Sequence, residues 1–234
     1  DANKSLTNGV PIEVFIEEFG YYGMDNYVNS IWFNGPIALC AGAIFLYIFL
    51  IWYRDWSGKG SFIYRLLMIP TSRMNIYFSK LTAIMLLVLS LVSIQLILLL
   101  IESKILKWFI SADYLHEVSI GSLIKGSQFI TVILPSTFTE FVLYYGAGFI
   151  ALSILFTAIL LERSFKWKGI ILAILYCVGV IAVLSAPIIL IELLEIGNYI
   201  YTSEQIIIVS VTASILGIIS ILLSRYLLNK KITV

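Results

Sequence analysis

Five stretches without a single Asp, Glu, Lys, Arg or His constrain this chain more than any other feature. They are Ser30–Tyr53, Leu81–Ile101, Phe141–Leu161, Gly169–Ile191 and Gln205–Ser224. Each runs to about 20 residues or more, the length at which a helix crosses a ~30 Å hydrocarbon core. Five buried helices of that length in a water-soluble fold would need a polar shell around them. A chain of 234 residues that is 60% hydrophobic and 12% charged cannot supply one. Lipid is the expected solvent, and the expected fold is an all-α, polytopic helical membrane protein forming a single transmembrane domain.

The charges then assign the connections to sides. The connection 54–80 carries Arg54, Lys59, Arg65, Arg73 and Lys80 against one acid, Asp55. The turn 162–168 carries Arg163, Lys166 and Lys168 against Glu162, and the tail carries Arg225, Lys230 and Lys231 with no acid. Alternation puts these three regions on one side, with 11 of the 15 basic residues; the other side holds 12 of the 14 acids. Basic residues mark the cytoplasmic face, so 54–80 and the C-terminus are expected there, in a multi-pass protein of the cell membrane. Spans are placed at 30–53, 81–101, 141–161, 169–191 and 205–228, with 1–29 and 102–140 external. The stretch DANKSLTNGV resembles neither a signal peptide nor a basic anchor, so a sixth span upstream of Asp1 is expected; a cleaved signal peptide is the alternative.

Outside the spans, several local signals stand out. Tyr21, Tyr22, Tyr27 and Trp32 suit the headgroup level. Ala38 and Gly42, four apart, would let helices approach closely, most simply within the bundle, with a contact to a second copy as the alternative. KILKWFISADYLHEV has the mixed spacing of an interfacial helix, with Trp108, Phe109 and Leu115 able to dip into lipid. Thr137 and Glu140 form a capping box, and Pro187 opens an expected bent or re-entrant segment. Catalytic chemistry is poorly represented. His116 is the only histidine, and Cys40 and Cys177 lie apart within apolar windows without disulfide or metal spacing. A net charge of +1 gives no reason to expect a nucleic-acid partner.

The connection DWSGKGSFIYRLLMIPTSRMNIYFSK begins with a glycine-flanked lysine, as a phosphate-binding loop does. It fails the G-x-x-x-x-G-K-[ST] pattern: Tyr53 stands where the first glycine belongs and Gly60 follows Lys59. No metal or cofactor is therefore expected on this chain. Ser61 can cap a short helix that Pro70 ends, and Thr71 or Ser72 can cap the helix that becomes the next span. The short helix is amphipathic, with Phe62, Leu66 and Ile69 on one face and Arg65 on another.

This run resembles the coupling-helix region of type-two ATP-binding-cassette export permeases. The Leu-x-x-Pro-x-Ser-Arg pattern of that family falls on Leu67, Pro70, Ser72 and Arg73, with Lys80 as the basic residue at the start of the next span. The resemblance implies a non-catalytic permease subunit that pairs with an identical or related one. Two separate ATPase subunits would bind ATP and magnesium. Their closure would press on the helix 62–69, with Phe62, Arg65, Leu66, Ile69, Pro70, Ser72 and Arg73 as coupling residues. The cargo it implies is hydrophobic or amphipathic, with an antimicrobial or toxin peptide first and lipid or drug second, moved out of a bacterial cytoplasm. Two other readings stay open: a secondary transporter driven by an ion gradient, and an integral membrane enzyme or immunity protein.

Overall fold

In lipid a backbone must satisfy its own hydrogen bonds, which leaves the helix as the form for an apolar stretch of this length. A computed structural model describes residues 22–23, 27–56, 71–109, 115–116, 121–122, 128–165, 167–194 and 199–231. The helices are α1 (Ile31–Trp56), α2 (Arg73–Phe109), α3 (Gln128–Ile133), α4 (Phe138–Phe165), α5 (Trp167–Leu193) and α6 (Thr202–Tyr226). A π-helical turn, Leu227–Lys231, continues α6. All but the short α3 are long and apolar enough to cross a membrane. Their outer faces are bare hydrocarbon: on α5, Ile171, Leu175 and Ile181 are each at least 65% exposed. Such a surface is tolerated where the solvent is itself apolar, and the chain is accordingly a multi-pass helical membrane protein.

The helices outrun the charge-free windows. α2 starts at Arg73 and runs unbroken to Phe109. Lys104, Ile105 and Trp108, expected in a separate interfacial helix, are therefore the last turns of α2 itself. Trp108 stands 88% exposed there. α5 also passes through Pro187 and stays helical to Leu193, where a bend was expected. A proline inside a helix removes one backbone bond, here the one to the Val183 carbonyl, a loss that membrane helices tolerate. The face of Ala38 and Gly42, expected to pack within the bundle, does not: Ala38 is exposed, and a Cβ added at Gly42 or Gly35 meets nothing within 4 Å. Lipid tails are as apolar as a neighbouring helix, so nothing forces such a face inward.

The helix starts are set locally. The Glu140 carboxylate accepts from the Thr137 N–H at 3.3 Å and the Ser136 N–H at 2.9 Å, while Thr137 Oγ1 accepts from the Glu140 N–H at 3.2 Å. That is the capping box expected from Thr-x-x-Glu. At α6, Glu204 folds back to accept from the Tyr201 N–H at 3.0 Å.

The chain divides into two compact units, residues 1–43 with 87–141, and 44–86 with 142–234. The first is built on Val28, Phe33, Leu99, Ile130 and Leu134, with Tyr27 edge-on to Phe33 at 5.8 Å. It also contains a two-residue parallel ladder, Tyr22–Gly23 with Leu115–His116. The core of the second is aromatic. Phe156 is fully buried between Trp52 and Tyr77, with ring centroids 5.4 and 5.5 Å away and both contacts edge-to-face. Where α4 turns into α5, a Cβ on Gly169 would come within 2.4 Å of the Glu162 carbonyl oxygen, so only glycine fits that turn.

Candidate functional site

The second unit brings together the ends of the basic connection 54–80 and the α4–α5 turn. Of the sequence-derived coupling residues, Phe62, Arg65, Leu66, Ile69 and Pro70 lie outside the described residues. Ser72 and Arg73 are described, and they open α2. The exposed Ser72 hydroxyl donates to Asn75 Oδ1 at 2.8 Å, and the Ser72 carbonyl accepts from the Asn75 N–H at 2.9 Å. Arg73 is half-buried, and its Nη1 donates to the Leu228 carbonyl in the π-helical turn at 2.6 Å. A guanidinium beside the orphan carbonyls of a helix C-terminus is favourably placed for both hydrogen bonding and the helix dipole.

Two turns further into α2, Lys80 is buried. Its ammonium donates to Asp55 Oδ2 at 2.5 Å and to the Ile51 carbonyl at 2.8 Å, and lies 4.0 Å from the centre of the Trp52 ring. Both partners are under 10% exposed. Two ions withdrawn from water are expensive unless each finds its counter-charge and further hydrogen bonds; here the carboxylate, a carbonyl and an aromatic face supply them. The pair ties the last turn of α1 to the second turn of α2. The 57–70 connection is therefore anchored at both ends to one packed unit.

Beside this clamp, Tyr53 donates its hydroxyl to the Glu162 carboxylate. The guanidinium of Arg163 sits 4.3 Å above the Tyr53 ring and 5.6 Å from that of Trp56. Trp56, Glu162, Arg163, Trp167 and Ile170 line a cleft of about 420 Å³.

Deeper within the spans, hydroxyl groups join α4, α5 and α6. Thr157 Oγ1 lies 2.8 Å from the Ser153 carbonyl, 3.0 Å from the Ser220 carbonyl and 2.9 Å from Ser224 Oγ. Its single proton goes to a carbonyl, so Ser224 is the donor to Thr157. Tyr176 Oη and Ser220 Oγ are 2.6 Å apart. The contacts saturate one another, and the network's evident role is to hold helices together, as interhelical hydroxyls do in lipid. Gly217 adds a close approach: a Cβ there would meet Ile150 Cγ1 at 3.1 Å. Among the described residues no cluster of three His, Cys, Asp or Glu side chains is placed to hold a metal ion.

Sequence reasoning placed Lys80 in the connection and found neither its pairing nor the Tyr53–Trp56–Arg163 arrangement. The available signal was thin: Asp55 is the sole acid among five bases, and the string Trp-Tyr-Arg-Asp-Trp interleaves aromatic rings with charge. No family model, curated protein or solved structure matches this chain.

Proposed function

We propose that this chain is the permease subunit of an ATP-driven exporter of the type-two ATP-binding-cassette kind. It would carry a hydrophobic or amphipathic cargo, a peptide before a lipid or drug, out of the cytoplasm. Hydrolysis belongs to a separate ATPase subunit, and a second permease subunit completes the path. The observation that carries the reading is the Leu67–Pro70–Ser72–Arg73–Lys80 pattern in a basic connection between two spans.

The anchoring of that connection supports it. A lever transmits nucleotide-dependent contacts only if its base is stiff and if the nucleotide states differ in contact free energy with two permease conformations. Asp55–Lys80 and Arg73–Leu228 provide such a base on either side of residues 57–70. A push on the proposed coupling helix would then be delivered to packed spans.

The test is gentle purification of the tagged full-length protein from its own membranes, identification of co-purifying chains and assay of ATP turnover. A stoichiometric ATPase is expected. Arg65→Glu, which reverses a charge on the proposed docking helix, should cut its capture or its coupled turnover at least tenfold, while Lys104→Glu, at the far end of α2, leaves both unchanged. Purification without any ATPase would sink the exporter reading and favour an ion-driven transporter or a membrane enzyme.

A further inference from the structure

We infer that the cleft between Trp56, Arg163 and Trp167 binds the phosphate of an anionic lipid headgroup. The inference does not depend on the exporter reading. Two N–H donors on the cleft-lining side chains, Trp56 Nε1 and Arg163 Nε, are shielded from water and have no acceptor. A buried donor without a partner is costly, and native proteins leave few of them. Both belong to groups that hydrogen-bond oxyanions: the guanidinium fork matches a phosphate, and the indole N–H donates only. An oxyanion drawn into the cleft would lie against both side chains, and a small turn of the indole and the guanidinium would bring their N–H groups onto it.

The surrounding charge points to an anion. Arg163 forms no ion pair among the described residues and is held over the Tyr53 and Trp56 rings. Glu162, the acid on the cleft, already accepts the Tyr53 hydroxyl, and Asp55 is committed to Lys80. Arg54 and Lys168 are exposed nearby in sequence, and Lys231 sits 5.6 Å over the Phe165 ring at the end of α4. On the cleft itself Glu162 is engaged by Tyr53, which leaves Arg163 as the charge without an ionic partner among the described residues.

Location then selects the source of the phosphate. Trp56 is the last residue of α1, and Trp167, 87% exposed, is the first of α5. Tryptophans at the ends of spans sit at headgroup level. Ile170, 44% exposed on the next turn of α5, carries the cleft wall toward the acyl region. A volume of about 420 Å³ admits a phosphodiester headgroup but not a folded domain. By the charge count this is the cytoplasmic leaflet, where basic side chains near the surface attract anionic lipid.

Native mass spectrometry of the full-length protein, titrated with phosphatidylglycerol or phosphatidylcholine of the same acyl chains, tests the assignment. Phosphatidylglycerol should be retained preferentially, at one molecule per chain. Arg163→Gln and Trp56→Phe should each weaken it about tenfold, the effect of losing one hydrogen bond to a charged group. Trp56→Phe keeps the aromatic wall, so a loss there reports the N–H and not a collapsed cleft; melting within a few degrees of wild type confirms folding of each variant. Equal retention of the two lipids, or wild-type retention by both variants, overturns the proposal. Displacement of the lipid by millimolar inorganic phosphate overturns its lipid source and assigns the site to a soluble phosphate.

Discussion

At the scale of single residues, the buried Asp55–Lys80 pair is the strongest commitment in the second unit. An ion pair inside a protein contributes little net stability compared with an apolar pair of the same shape, but breaking it by removing one partner is severe. Asp55→Asn would leave the Lys80 ammonium with a carbonyl and a ring but no counter-charge. The expected loss is about 3–5 kcal/mol, seen as a large drop in the melting temperature of the detergent-purified protein. The double replacement Asp55→Leu with Lys80→Met should recover most of it. If Asp55→Asn melts with wild type, the pair does not exist in the native protein. None of this was legible in the sequence, because the two residues lie 25 positions apart in a basic stretch. Solvated charge is the ordinary expectation there. The Thr137–Glu140 cap was legible for the opposite reason: its partners are three residues apart and its chemistry is local.

At the scale of elements, the α4–α5 turn concentrates constraint. Gly169 leaves no room for a methyl group, since the atoms it would meet are the backbone oxygens of Leu161 and Glu162, 2.6 and 2.4 Å away. Backbone cannot swing aside as the tip of a flexible side chain can. Gly169→Ala is therefore expected to cost about 1–3 kcal/mol, the range for overpacking a tight site. It should also loosen the cleft, whose residues Glu162, Arg163 and Trp167 flank that turn. A thermal melt together with the lipid titration checks both effects; a melting temperature unchanged from wild type would mean the turn has another geometry. Helix identity was readable from the windows, but helix length was not. A window stops at its first charge, whereas α2 begins at Arg73 because Arg73 and Lys80 both find partners inside the unit. The bare face of Ala38 and Gly42 misled for a related reason: small residues permit close packing without compelling it.

At the scale of the whole molecule, the distribution of charge makes a claim that labelling can check. Alternation of five spans would put 57–70, the α4–α5 turn and the C-terminal tail on one side, and the basic count predicts that side to be the cytoplasm. The two native cysteines, Cys40 and Cys177, both lie within spans, so a background with both replaced by serine lets a single new cysteine report its side. A membrane-impermeant maleimide applied to intact cells should label Lys125→Cys and leave Lys59→Cys unlabelled until the membrane is opened. The reverse pattern would invert the topology. It would move the Trp56–Arg163 cleft to the outer leaflet and leave the proposed coupling segment 62–69 facing a compartment without ATPases, so the proposed exporter mechanism would fail with it. Labelling of both positions in intact cells would instead break the alternation itself, and with it the reading of at least one helix as a full span. Orientation is thus the premise on which the proposed coupling rests, whereas the proposed oxyanion site rests on side chains within one unit and needs orientation only for its leaflet.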